Sequence, residues 1–364
     1  MKARIASLAV LATSLVVSMG LGAVADAKPN IAKPMFTVIP KDAPGHNVPL
    51  FPPSSSLQTW SGGFTDLTGK AIHFTMVGTD PNSTNTTTTV NVVVIPVIFE
   101  YGASNGNMTF DPRKDQLNGM SVLKFMEKSP IFASSVKFKS GSAKLGKSQY
   151  IDAFQRANFW STVQSEPNYH VLLNVTKTLK PLKFSVLPGG GSVITNPWGS
   201  LPTGTYPINP FDLAVNTYLT ANSADITPDT LPLFISDNVY LTQQTGGRGC
   251  CIGGYHSASG TQSYSYTTLV TESGDFSEDI SALSHELAEW LDDPFTNNHV
   301  NCSDNSILEV GDPLETLSNF GTFTVSAGGF TYHPQDLAFI GYFGHPTPYP
   351  SANGWISFYN RKAT

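Results

Sequence analysis

Charge is scarce in this sequence. Asp, Glu, Lys and Arg together make up 13% of 364 residues, and the formal net charge is −6. No basic block occurs, so the electrostatic footprint of a nucleic-acid-binding protein is missing. Low charge also argues against a coiled coil or a long helical bundle. Cysteine is nearly absent: Cys250, Cys251 and Cys302 are the complete set. After residue 25 no apolar run reaches eighteen residues, so no later helix is long enough to span a bilayer. There is no G-x-S-x-G elbow, and Gly246-Gly247-Arg248-Gly249 lacks the Lys-Ser/Thr of a phosphate loop. What the chain does have is 31 Gly, 26 Pro, 22 Phe, 13 Tyr and 5 Trp. The aromatics supply anchors that a disordered chain lacks, and the Gly and Pro punctuation suits a strand-rich, loop-rich protein.

Lys2 and Arg4 precede an apolar stretch over residues 5–25 that ends in Ala25-Asp26-Ala27. A basic start, an apolar middle and a small-x-small end are the parts of a secretory signal peptide. Residues 1–27 are therefore expected to be removed, giving a secreted or periplasmic protein that starts at Lys28 and has no membrane attachment afterwards. In that oxidising setting three cysteines allow one internal bridge and leave one thiol. Pairing of the adjacent Cys250 and Cys251 is expected to strain the backbone. A bridge from either to Cys302 closes a loop of about fifty residues, worth roughly 4 kcal/mol by chain entropy.

Residues 28–85 read as an extended N-terminal segment, Pro-rich at first and ending in a polar run of Asn, Ser and Thr. Residues 90–99 (VNVVVIPVIF) are the strongest strand signal, apolar on both faces as a central strand would be, with Pro96 marking a bulge. The periodicity predicts helices over 121–132, 150–163 and 211–220, and strands over 231–241, 263–271 and 306–310. A Gly-rich loop is expected over 246–254 and a hairpin over 320–332 turning at Gly328-Gly329. The pattern amounts to a single α+β domain over 86–364 with a mixed sheet.

Residues 277–291 (SEDISALSHELAEWL) form the segment richest in chemistry. Ser277 suits an N-cap, Glu278 and Asp279 suit the N-terminal dipole, and Pro294 stops the helix. Ile280, Leu283, Leu287, Trp290 and Leu291 share the expected core face. His285 and Glu289 fall one turn apart on the other side, with Glu286 beside them: two donors aimed at one point plus a carboxylate. In a chain so poor in charge, seven titratable residues crowd this element, from Glu278 to Asp293. Glu309-Val310-Gly311-Asp312 follows, with nineteen residues between Glu289 and Glu309.

This spacing resembles the thermolysin-like zinc peptidases, the gluzincins, in which H-E-x-x-H is followed nineteen residues later by a ligand Glu. The resemblance implies a zincin-like domain with His285, Glu289 and Glu309 as metal ligands, Glu286 as general base and Asp312 orienting the imidazole. Glu289 stands where that family has its second His. Ser284-His285-Glu286-Leu287-Ala288-Glu289, Asp293-Pro294 and Glu309-Val310-Gly311-Asp312 also resemble a pattern of secreted bacterial proteins, themselves distantly similar to the plant exordium-like, phosphate-induced proteins. That second likeness implies export and a shared fold without a reaction. One imidazole and two carboxylates suit Zn²⁺, and two negative ligands also suit Mn²⁺ or Fe²⁺. Ca²⁺ has less support, since no EF-hand spacing is present. His256, in the expected loop near the helix, is a candidate fourth ligand or a stabiliser of the transition state.

These readings point to an exported metal-dependent hydrolase, a metallopeptidase acting on an extracellular peptide or protein. The rival is a non-catalytic binding or signalling protein of exordium-like type with a structural metal or none. A carbohydrate binder resting on C-terminal aromatics is the weaker third. Mass spectrometry of the exported protein is expected to give an N-terminus at Lys28; an intact Met1 in that material refutes the signal peptide.

Overall fold

The computed structural model describes residues 32–41, 43, 56–245, 248–300, 307–344 and 356–361. Eleven strands among them share one sheet: β1 Met35–Ile39, β2 Thr87–Tyr101, β3 Thr109–Phe110, β4 His170–Thr178, β5 Leu182–Val186, β6 Ser192–Thr195, β7 Pro202–Pro207, β8 Thr230–Asp237, β9 Val239–Thr242, β10 Cys250–Ser259 and β11 Gln262–Leu269. Their order is β4-β2-β8-β11-β10-β9-β7-β6, with β3 and β5 also on β2, and β1 on β10. The block β4-β2-β8-β11 is parallel, whereas β10 runs antiparallel to β11. Such a parallel block needs cover on both faces, and the near-continuous Val and Ile run of β2 meets that need.

Helices supply the cover. On one face α2, Ile208–Ala221, sets Phe211, Val215 and Leu219 against Phe99, Phe234 and Tyr266. On the other, α1, Tyr150–Asn158, and α3, Ser281–Asp292, set Phe154, Leu283, Leu287 and Trp290 against Val92, Leu233 and Ile235. The fold is mixed α/β, mostly strand, with a few helices on a curled sheet. Among the described residues no helix is long and apolar enough to cross a membrane.

Several local expectations need correction. Pro96 makes no bulge with β8; the pairing runs through it to Ile235. It falls between the last β4 pairing at Val94 and the first β5 pairing at Val97, where the missing N–H interrupts no ladder. Asn238, at φ 48°, divides the strand expected over 231–241. The helix expected over 150–163 divides at Phe159, and that over 121–132 shortens to Val122–Glu127, capped by Ser121. Of 306–310, the described part holds only an isolated bridge from Ile307 to His299. The hairpin Val325–Ala327 with Phe330–Tyr332 turns at Gly328-Gly329 as expected.

Residues 28–85 do more than lead in. Met35–Ile39 joins the main sheet, and Ala71–Val77, paired with Thr59–Thr65, sends Ile72, Phe74 and Met76 into the core shared with α3. Their alternation of apolar residues is a strand period that the Pro-rich surroundings obscure. The expected loop over 246–254 is strand from Cys250 onward. There the sulfurs of Cys250 and Cys251 are bonded to each other, which replaces the expected bridge to Cys302. A cis peptide joins the two residues. Cys302 itself lies outside the described residues.

The start of α3 also differs. Ser277 and Asp279 adopt positive φ, 64° and 39°, so the chain turns before entering the helix at Ser281 and Ser277 is no cap. His333 clamps that turn: its Nδ1 lies 3.0 Å from Glu278 Oε1 and 2.8 Å from Asp279 Oδ2. Hydrogen bonds to Asp279 and Glu278 raise the imidazole to about 10, from an ordinary value near 6.5. The folded protein therefore binds a proton here that the unfolded chain has released. This contribution to stability is full below about pH 6.5 and disappears as the pH rises through about 10. Replacing His333 by Gln is expected to lower stability most at acid and neutral pH. Urea denaturation of both proteins as a function of pH checks this: the difference should shrink towards zero above pH 10.

Candidate metal centre

All twelve residues of α3 are buried, including its polar ones. The expected core face is present, and the face opposite it, which carries His285 and Glu289, is buried as well. The side turned away from Leu283 and Trp290 faces β10, β1 and the 309–315 segment. Close approach there depends on two glycines. A Cβ on Gly254 would lie 2.6 Å from Glu286 Cγ, and one on Gly311 would lie 2.2 Å from His285 Nδ1. Only hydrogen fits at either position.

His285 is oriented by Gln335. Its Nδ1 lies 2.5 Å from Gln335 Oε1, and Gln335 Nε2 donates to the Gly311 carbonyl at 3.0 Å, which fixes the amide's direction. Gln335 Oε1 can only accept, so Nδ1 carries the hydrogen and neutral His285 presents a lone pair at Nε2. That nitrogen lies 3.0 Å from Glu289 Oε1 and 3.5 Å from Asp312 Oδ1. These three atoms lie within 4.8 Å of one another. Glu289 Oε1 is held by the Gly311 N–H at 2.9 Å.

A second trio shares Glu289. His256, on β10 rather than in a loop, places Nδ1 3.3 Å from Glu286 Oε2 and 3.8 Å from Glu289 Oε2. Glu309 is fully buried, and no hydrogen-bond donor among the described residues reaches either oxygen. It lies near enough for its charge and that of Glu289 to repel. Of the residues singled out by sequence, the structure brings His285, Glu289 and Asp312 together in one trio and His256, Glu286 and Glu289 in another, while Glu309, expected as a ligand, lies in neither. Asp312 stands among the donors, 3.5 Å from Nε2 of His285, and the orienting role expected for it falls to Gln335. Gln335, Phe36 and the two glycines were missed. A lone Gln in the run His333-Pro334-Gln335 carries no spacing signal.

Burial governs the electrostatics. It lowers His256 to about 3, helped by the charge of His285, and lowers His285 to about 4. Both imidazoles are therefore neutral near pH 7. Burial raises Glu286, Glu289 and Glu309 well above the usual carboxylate range, and mutual repulsion adds to it. It also raises Asp292 to about 8 at the end of α3. No Lys or Arg pairs with Glu286, Glu289 or Glu309 among the described residues. Lone pairs converge here without a cationic side chain. A divalent cation of N/O preference fits this donor set, and its uptake would release the protons the carboxyls hold.

The site is roofed by Phe36 of β1, whose ring stacks on His285 with centroids 3.7 Å apart and planes at 27°. Such pairs add about 0.5–1.5 kcal/mol beyond the area they bury. A groove of about 600 Å³ runs along β1, between Met35, Thr37, Ile39 and Ile208 on one side and Asp312 and Glu315 on the other. Asp312, with 27% of its side chain exposed, links groove and cluster.

Comparison of the chain with protein-family models, with curated proteins and with solved structures returned no match.

Replacing Gln335 by Leu is expected to release the His285 ring and weaken Zn²⁺ binding by roughly 10- to 100-fold, the usual effect of losing a ligand's hydrogen-bond partner. Titration with a competing chelator measures this, and an unchanged affinity shows that Gln335 does not set the ring.

Proposed function

We propose that this chain is an exported hydrolase that works with a bound divalent cation and cleaves an extracellular peptide or protein. Zn²⁺ is the first choice of cation, Mn²⁺ or Fe²⁺ the alternatives, and Ca²⁺ the least suited. The convergence of His285 Nε2, Glu289 Oε1 and Asp312 Oδ1 within 4.8 Å carries this reading, with Glu309 buried beside Glu289. The helix Ser281–Asp292 would then be used in zincin-like fashion, one turn supplying ligands and a base together.

A divalent ion held by these residues supplies Lewis acidity and brings the pKa of water near neutrality. The chain's own residues do the rest. Glu286 Oε1 has no hydrogen-bond partner among the described residues, and burial raises its carboxyl, so it is suited to accept a proton and pass it to a leaving amine. His256 Nδ1, 3.3 Å from Glu286 Oε2, orients that carboxyl. Glu309 adds negative charge against Glu289, Phe36 excludes water from the imidazole, and the β1 groove is the route inward.

One observation favours a second reading. Glu286 is wholly buried beneath Gly254, which suits a non-catalytic exordium-like protein holding a structural metal. The two separate by experiment. Ala at His285, Glu289 or Asp312 should each cut metal content of the purified protein severely, since each removes a donor. Glu286→Gln is nearly isosteric and should keep the metal while peptide hydrolysis falls about 100-fold or more. Stoichiometric metal in the Ala variants means the ligands are others. A metal-loaded wild type without hydrolysis supports the second reading.

A further inference from the structure

β1 is an unusual strand. It is an edge segment whose one ladder partner among the described strands is β10, running parallel from Met35↔Ile252 to Ile39↔Ser257. Pro34 and Pro40 bracket it, and a proline cannot donate to a ladder; beyond Pro34, Lys33 adds two backbone hydrogen bonds, to Cys250 and from Cys251. Its side chains alternate: Phe36 and Val38 are buried, while Met35, Thr37 and Ile39 are half-buried. This is how an added peptide strand binds, through main-chain bonds for affinity and alternate side chains in pockets for selectivity. The groove along β1 leaves its flank open beside Asp312 and Glu315. Lys33 and Lys41 stand at the two ends of the segment, in a chain whose net charge is −6.

Phe36 covers the face of the His285 ring, and a Cβ on Gly253 of β10 would come within 3.1 Å of the Phe36 ring. We infer that the β10 edge from Ile252 to Ser257 is a peptide-docking edge, held closed by the chain's own Met35–Ile39 strand. What displaces β1 is an extended peptide with alternating apolar residues and an aromatic side chain that takes the place of Phe36 over His285. With β1 in place the cluster is closed, and exchange of strands opens it. Insofar as the incoming peptide is also the substrate, this inference rests on the hydrolytic reading above; the docking itself does not.

The probe is a fluorescently labelled peptide copying residues 33–41 (KPMFTVIPK), added to the full exported chain in the presence of EDTA so that no metal or turnover is needed. Phe36→Ala weakens the resident strand. The labelled peptide should bind this variant at least tenfold more tightly than wild type, and a copy with its own Phe replaced by Ala should lose that gain. Deuterium exchange of the Ile252–Ser257 amides should slow on binding. A folded Phe36→Ala protein that ignores the peptide, or binds a scrambled one equally, overturns the inference. Should the variant not fold, the wild type serves: excess peptide must accelerate exchange at Phe36–Ile39, and no acceleration overturns the inference. Peptide binding in a protein that never hydrolyses keeps the docking edge and removes the hydrolase. Hydrolysis without peptide exchange does the reverse.

Discussion

The hydrogen bond from His285 Nδ1 to Gln335 Oε1 decides which nitrogen of the ring faces the carboxylates, and the rest of the site closes around that decision. Gln335 Nε2 binds the Gly311 carbonyl, Gly311 N–H binds Glu289, and Glu289 faces His285 Nε2. The four groups form a closed circuit. A fifth contact, from the Gln335 amide N–H to Ser284 Oγ, ties the loop back to α3 at the residue before His285. Because Gln335 and Gly311 lie in loops, α3 alone could not hold this geometry. The circuit holds each donor and acceptor in a single direction, which rigidifies a site with little room for error.

That rigidity matters because the groups it holds are costly to bury. A carboxylate withdrawn from water without a partner carries a penalty of several kcal/mol, and Glu286, Glu289 and Glu309 are all withdrawn together. Burial favours protons on the carboxyls and neutral imidazoles, which relieves this penalty. Such an arrangement gives little to stability in itself.

Much of this was legible in the sequence. Helical spacing in a charge-poor background points to His285, Glu286 and Glu289 as neighbours, and in the structure His285 and Glu289 lie together with Asp312, and Glu286 and Glu289 with His256. The central strand read correctly because Val and Ile dominate it. What failed were features set by tertiary contact. That β1 and β10 cover the face of α3 opposite Leu283 is one such feature. Gly253 and Gly254 looked like loop residues, yet they lie within a strand, where a Cβ on either would collide with Ser277 or Glu286. Phe36 and Gln335 had no pattern at all: each is defined only by a partner more than forty residues away.

The parallel pairing of β1 with β10 has a further consequence, for the order of assembly. Ile39 and Ser257 are 218 residues apart, yet their hydrogen bond belongs to neighbouring strands. Contacts of such sequence separation form slowly, because the intervening chain must first lose its freedom. β1 is the first described strand to be synthesised, and its partner emerges only after most of the sheet. The roof over His285 is therefore laid last, on a scaffold already built, and until then the β10 edge stands bare and able to pair with another chain.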